Sequence, residues 1–134
     1  MAIVTTKDSI DLGIVVEDLP RALAFYRDTL GLEDEGQLPM GGGSLMHRLR
    51  CGSSVIKLVW FPEAPAAKAP PGGIQGATGY RYWTISLPDV AALASRCEEA
   101  GYRVVIPPRE IRAGVRIAMV EDPEGNWVEF LETA

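Results

Sequence analysis

The amino-acid sequence predicts an α+β fold made of two tandem βαβββ repeats, whose curved mixed sheets surround a cavity. A strand followed by an amphipathic helix occurs near the start of the chain and again after residue 80. Strand candidates that end in a hairpin follow each copy. Two copies are fewer than a solenoid usually needs to bury a continuous core, and this favours two half-sheets over a stacked array.

The first copy opens with residues 10–16, which read as a strand, and continues with residues 19–30, whose apolar side chains are spaced for one helical face. Asp18 is placed to cap the helix, because its carboxylate can accept a hydrogen bond from an N–H group that lacks a partner in the first turn. Gly31 is placed to end the helix. The hairpin of this copy is predicted over residues 45–61, with Gly52 in its turn.

The second copy repeats this plan. Residues 81–87 predict a strand, Asp89 can cap a second helix, and Gly101 can end it. The final hairpin covers residues 115–131, and its turn, Asp122 to Asn126, contains the proline, glycine and aspartate typical of tight turns.

The 134 residues fit the usual size of a single domain. We expect a first repeat over residues 8–61, a linker over residues 62–79 and a second repeat over residues 80–132. The linker is rich in proline, glycine and alanine, which break helices and supply few large apolar groups.

Composition narrows the possible partners. The net charge is −5 and lysine and arginine are not clustered, which argues against nucleic acid because phosphate contacts need concentrated positive charge. No apolar run approaches the roughly 20 residues that span a bilayer, and the N-terminus lacks a secretory pattern. We therefore expect a cytoplasmic protein with a small-molecule partner. Cys51 and Cys97 read as small buried apolar groups.

Alternation along the strands predicts which side chains point into the cavity. The apolar alternate residues are assigned to the helix side, which leaves polar residues on the other face. These inward residues are Asp11, Lys57, Tyr82, Thr84, Ser86 and Glu129.

Two segments carry a resemblance to a known family. Residues 11–32, which include DLPRALAFYRDTLGL, resemble the first strand and helix of the vicinal oxygen chelate proteins, and EDPEGNWVE at residues 121–129 is similar to their final hairpin. This superfamily contains glyoxalases, bleomycin resistance proteins and extradiol dioxygenases. The resemblance covers nearly the whole chain and implies the fold, but the superfamily includes many reactions as well as drug-sequestering proteins.

The resemblance also implies where a metal would bind. In metal-dependent members, the positions of Asp11 and Tyr82 usually carry histidine or glutamine. The positions of Lys57 and Glu129 usually carry glutamate. Only Glu129 matches, and a charged lysine has no lone pair for a metal. We therefore expect no cofactor, and a cluster in which Lys57 replaces the ion between two carboxylates. Because two carboxylates are present, a divalent metal at an atypical site is the alternative.

Further residues are candidates for ligand contacts. Arg48 and Arg116 can recognise a carboxylate or phosphate, although a solvated strand edge is the favoured interpretation of each. Trp127 and Tyr82 can hold a flat apolar ligand. His47, the only histidine, faces either the helix or the cavity depending on a one-residue change of strand register, and Arg48 takes the opposite side.

Two functions remain open from the sequence. The first is a non-catalytic small-molecule binder with a degenerate, metal-free site. The second is a metal-independent isomerase or lyase acting on an enolisable carbonyl compound, with Glu129 or Asp11 as base, Lys57 stabilising the oxyanion and Tyr82 completing the catalytic cluster. The resemblance further implies a homodimer, with each cavity formed by one chain or by exchanged halves.

Overall fold

The computed structural model describes all 134 residues, and they divide into two compact units, residues 1–66 and 67–134. Each unit contains one four-stranded mixed sheet and one main helical segment. This confirms the predicted class, two βαβββ repeats. The boundary between the units falls inside the segment interpreted as a linker. The cavity predicted between the sheets stays a prediction.

In the first unit, the strands are ordered β1-β4-β3-β2. β1 runs parallel to β4, whereas the other neighbours are antiparallel. The strand bounds are β1 Leu12–Val15, β2 Glu33–Gly41, β3 Ser44–Cys51 and β4 Ser54–Trp60. β1 is shorter than the predicted residues 10–16, because Ile10 is 84% exposed and pairs with no strand.

The helix of the first unit differs from the continuous α-helix predicted over residues 19–30. α1 covers Leu19–Leu23 and passes into a π-helical segment, Ala24–Thr29. In this wider turn the Leu30 N–H donates to the Phe25 carbonyl at 2.9 Å, and the Thr29 hydroxyl donates to the Ala24 carbonyl at 3.0 Å. The widening accompanies the complete burial of the adjacent Phe25 and Tyr26.

In the second unit, the order β5-β8-β7-β6 repeats that of the first. The bounds are β5 Tyr82–Ser86, α2 Val90–Glu99, β6 Val104–Arg112, β7 Val115–Glu121 and β8 Trp127–Thr133. Both predicted helix caps are confirmed: Asp18 accepts from the Arg21 N–H and Asp89 from the Ala92 N–H, each at 3.0 Å. Gly31 and Gly101 follow the helices with φ of 82° and 92°, a conformation that glycine adopts without steric cost.

The core of each unit lies between its helix and one face of its sheet. Leu49 and Leu58 in the first unit, and Val128 and Phe130 in the second, are fully buried there, as the alternation predicts. Cys97 is also buried on this side, and burial raises the pKa of its thiol to about 11. Neither helix has the length and apolar character needed to cross a membrane.

Candidate functional site

The face of each sheet that points away from its helix is here called the open face. Side chains of residues paired across neighbouring strands share a face, so the strand register assigns every position. The first open face includes Gly13, Val15, Glu33, Leu38, Met46, Arg48, Arg50, Val55, Lys57 and Val59. Its apolar members are not all covered, because Val15 is 51% exposed.

Lys57 occupies the centre of the first open face. Its register partners are Gly13 on β1 and Arg48 on β3. The Lys57 ammonium makes neither a hydrogen bond nor an ion pair with any other side chain of the unit, although its charge contributes to lowering the pKa of Asp11. A Cβ atom built on Gly13 would meet nothing within 4 Å. The space beside the lysine is therefore open.

Asp11 lies just before β1 and is held by groups other than Lys57. Its Oδ1 accepts from Lys7 Nζ at 2.6 Å and from the Val55 backbone N–H at 2.8 Å. The Lys7 hydrogen bond, followed by the Val55 N–H, lowers the pKa of the Asp11 carboxyl. The first unit therefore does not contain the predicted direct bridge between Lys57 and Asp11.

The two arginines on β3 share a single carboxylate. Arg50 donates through Nε to Glu35 at 2.8 Å, and Arg48 approaches the other oxygen of Glu35 only to 3.9 Å. Arg50 and Glu35 were not among the residues predicted for the site. Arg50 follows from the same alternation as Arg48, but Glu35 could not be placed because β2 has an irregular register between Asp34 and Gln37.

The second open face includes Tyr82, Thr84, Ser86, Val115, Ile117, Met119, Glu121, Trp127, Glu129, Leu131 and Thr133. Tyr82 is 47% exposed. Thr84 donates its hydroxyl proton to Glu129 Oε1 at 2.8 Å. The unit thus brings together the predicted Tyr82, Thr84, Ser86, Trp127 and Glu129 on one surface. This surface carries two carboxylates, Glu129 and Glu121, and several hydroxyl groups, and Glu121 accepts a hydrogen bond from Trp127 Nε1 at 3.3 Å.

The segment interpreted as an unpacked linker covers part of Trp127. A Cβ atom built on Gly73 would lie 2.2 Å from the six-membered ring of Trp127, so only glycine fits at this contact. Arg81 fixes the segment by donating to the carbonyls of Gly73 at 2.7 Å and Pro70 at 3.0 Å. The part of the Trp127 ring that meets Gly73 is therefore not available to a ligand.

The structure places His47 and Arg116 away from the open faces. His47 is buried on the helix side of the first sheet, where Nε2 lies 2.8 Å from Asp34 Oδ1. The pKa of Asp34 is lowered, first by the Gly36 N–H and then by His47. Arg116 has Glu110 and Glu132 as its register partners on β6 and β8, on the helix side of the second sheet. Because β-strand side chains alternate, neither residue reaches the face that carries Lys57 or Glu129.

The donor set does not fit a divalent metal. The first unit would supply one carboxylate, Asp11, whose Oδ1 already accepts two hydrogen bonds, and the ammonium of Lys57. The second would supply Glu129 and the phenol of Tyr82, which is not a usual ligand of divalent metals. Divalent ions need deprotonated or neutral donors with a free lone pair, and no three His, Cys, Asp or Glu side chains are grouped suitably.

We expect Asp11→Asn to change the pH dependence of stability. A carboxyl whose pKa is lowered on folding stabilises the native state above its unfolded pKa of about 3.9. This contribution is lost as the pH falls through the folded value. The stability difference between wild type and Asp11→Asn should therefore be constant near neutral pH and shrink below about pH 4. Urea unfolding at several pH values measures this difference.

Lys7→Gln serves as the matched variant for this prediction. It removes the first cause of the lowered pKa of Asp11 but leaves the Val55 N–H in place. Its stability difference from wild type should therefore shrink over the same acidic range. A difference for Asp11→Asn that stays unchanged down to the acid transition would contradict the prediction.

Comparisons with known proteins agree with this architecture. A sequence model of the Glyoxalase/Bleomycin resistance protein/Dioxygenase superfamily matches residues 8–130. A glyoxalase family protein from Bacillus cereus is similar in structure, with a TM-score of 0.82, 22% identity, and coverage of 99% of this chain and 98% of that one. TnmS3, an antibiotic binding protein from Streptomyces sp. CB03234, has a TM-score of 0.70, 24% identity, and coverage of 100% and 99%.

Proposed function

Because the chain belongs to the Glyoxalase/Bleomycin resistance protein/Dioxygenase superfamily, we propose that it is a small-molecule-binding protein whose ligand lies on the open faces of its sheets. The observation that carries the proposal is the exposed surface on each open face. Val15 and Tyr82 are about half exposed there, beside the buried Val55 and Met119, whereas Leu58 and Phe130 on the helix sides are completely buried. A ligand with an apolar body would cover this exposed surface.

The polar groups on the open faces support the same proposal. Ligand sites combine apolar walls with a few polar groups that fix orientation. Here Lys57 has no hydrogen-bond partner, and Glu129 is bound only by Thr84. Polar groups that still have unused hydrogen-bonding capacity can bind a ligand. Side chains already joined in ion pairs with each other are less able to do so. The antibiotic-binding role of TnmS3 is a precedent for such a function within the same fold.

We propose that this binding does not use a metal. A protonated lysine at the centre of the first open face would repel a divalent ion and supplies no lone pair. We further propose that the protein is a cytoplasmic homodimer. Static light scattering that shows a stable monomer at micromolar concentration would overturn the dimer, and elemental mass spectrometry that finds a stoichiometric divalent ion would overturn the metal-free site.

Binding is tested with two probes, bleomycin and the neutral aromatic compound 1-naphthol, by isothermal titration calorimetry. At least one probe should bind, and Tyr82→Ala should weaken that binding about tenfold, because a buried aromatic contact contributes roughly 1–2 kcal/mol. Tyr80→Ala is the matched control, since Tyr80 is a fully exposed neighbour that belongs to neither open face. Equal effects of the two variants would overturn the proposal, as would absence of binding by bleomycin, by 1-naphthol and by the charged naphthalene compounds described below.

A metal-independent isomerase or lyase is the second candidate, and one observation favours Glu129 as its base. Asp11 is occupied by Lys7 and the Val55 N–H, and its pKa is lowered, which makes it a weak base. Glu129 accepts a hydrogen bond only from the Thr84 hydroxyl. Turnover of an enolisable carbonyl compound that disappears in Glu129→Gln would favour the enzyme. Probe binding without turnover of such compounds would favour the binder.

A further inference from the structure

We infer that the ligand is an apolar carboxylate, and that Lys57 and Arg48 hold its anionic group on the open face of the first sheet. This inference rests on the proposed small-molecule-binding function and adds the chemical class of the ligand. It follows from the distribution of charge, the unused donors and the apolar surroundings of these two side chains.

The first open face and its border carry an excess of positive charge. Arg48, Arg50 and Lys57 are cationic, and two carboxylates offset this charge in part. Glu35 contacts the arginines, and Glu33 is the register partner of Arg50. Asp11 nearby is already neutralised by its ion pair with Lys7. The excess is notable because the whole chain has a net charge of −5. An anion would therefore be attracted to this surface although the protein as a whole repels it.

Lys57 and Arg48, at the centre of this surface, form no hydrogen bond within the unit, and the ion pair of Arg48 with Glu35 is long, at 3.9 Å. Glu35 forms its hydrogen bonds with Arg50, and at 3.9 Å it is too far from Arg48 for a hydrogen bond. The Lys57 ammonium has no hydrogen-bond partner. Lys57 and Arg48 are direct register partners on β4 and β3, and cross-strand neighbours have Cβ atoms roughly 5 Å apart. Their two cationic groups can therefore contact the same carboxylate.

The surroundings indicate an apolar body attached to the anion. Gly13, on β1, is the register partner of Lys57 on the side away from Arg48. Because glycine has no side chain, the space there is open. The next open-face pair along these strands is Val15 with Val59, and Val15 is half exposed. A carboxylate held by Lys57 and Arg48 would direct an attached ring or chain across Gly13 and the valines. An inorganic anion would leave this apolar surface uncovered.

A matched series of naphthalene compounds tests the inference by calorimetry at neutral pH. The series is 1-naphthoate, 1-naphthol and 1-naphthylmethylammonium, which share the ring and differ in charge. Wild-type protein should bind 1-naphthoate about tenfold more tightly than 1-naphthol, and the ammonium compound least, because a charge-assisted contact favours the anion. Higher salt should weaken the binding of 1-naphthoate alone.

Substitutions then assign the effect to particular residues. Lys57→Gln and Arg48→Gln should each remove most of the preference for 1-naphthoate over 1-naphthol, and Lys57→Arg should retain it. Arg21→Gln is the control, because it changes the net charge equally but lies on α1, on the helix side of the same unit. Thermal unfolding verifies that each variant is folded. Because Lys57 and Arg48 are substituted separately, the test remains valid if one of the two variants is unstable.

The possible outcomes separate this inference from the proposed function. Preferential binding of 1-naphthoate that depends on Lys57 and Arg48 supports both. Equal binding of 1-naphthoate and 1-naphthol, unaffected by Lys57→Gln, overturns the carboxylate inference and leaves the binding function standing. If none of the three compounds binds, and bleomycin does not bind either, both are overturned.

Discussion

Replacing Phe130 with alanine is expected to lower the free energy of unfolding by about 3–5 kcal/mol. Phe130 lies in the middle of β8 and is completely buried, with Ile85 on β5 and Ala118 on β7 as its register partners. Because Ala118 is small, the truncated site would place two alanines side by side. The resulting cavity would cost packing contacts as well as the transfer free energy of the ring. Urea unfolding measures the change.

Phe130→Leu is the matched variant for this prediction. Leucine retains most of the buried apolar volume, and swaps that nearly conserve volume usually cost less than about 1.5 kcal/mol. Ile111→Ala is a second control, because Ile111 is 42% exposed and its truncation opens no cavity. A loss below about 1 kcal/mol in Phe130→Ala, or equal losses in the alanine and leucine variants, would contradict the assignment of Phe130 to the core.

Asp122→Ala is expected to lower the free energy of unfolding by about 2–4 kcal/mol. Asp122 is only 4% exposed and organises the turn between β7 and β8. Its Oδ1 accepts from the backbone N–H groups of Glu124 and Asn126, both at 2.8 Å, and its Oδ2 accepts from Asn126 Nδ2 at 3.1 Å. Alanine would leave these partly buried donors without partners, and the loss of several hydrogen bonds at once explains the size of the effect.

Asp122→Asn separates the geometry of this turn from its charge. The asparagine carbonyl oxygen can still accept from both backbone N–H groups, so the loss should be less than half of that in Asp122→Ala. Thermal unfolding of the three proteins in one buffer measures the order. If Asp122→Asn were as unstable as Asp122→Ala, the stabilisation would reside in the charge and not in the hydrogen-bond geometry.

Local signals were sufficient for most of the fold. Asp18 and Asp89 cap their helices because a capping carboxylate needs only the N–H groups of the following turn. The Asp122 turn was equally evident, since its partners lie within four residues in the chain. The repeat then placed the same elements in both halves.

Other features could not be predicted because they depend on contacts distant in the sequence. The linker was expected to have little to pack, yet Gly73 contacts Trp127, which is far along the chain. The π-helical segment was expected to be α-helical, because apolar spacing does not reveal the complete burial of two adjacent aromatic residues. β2 and β6 contain register irregularities that alternation alone does not locate.

For the candidate site, alternation predicted the face but not the partners. Lys57, Tyr82 and Glu129 lie on the open faces as expected. Asp11, however, is bound by Lys7 and the Val55 N–H, and Glu129 by Thr84. Because a charged side chain can choose among several nearby partners of similar energy, strand patterns do not determine ion pairing. The predicted bridge between Lys57 and Asp11 was therefore wrong, and only the pairing of Lys57 with Glu129 remains a prediction.

The sequence by itself determined the βαβββ repeat, the helix caps, the final turn and the side of each central strand that is buried, because these depend on neighbouring residues and on the period of the apolar pattern. Only the tertiary structure decided that His47 lies on the helix side with Asp34, that Arg116 lies on the face opposite to Glu129, and that Lys57 keeps an unused ammonium beside Arg48. Strand register decides the position of each of these residues, and register is fixed by pairing between strands that are distant in the chain.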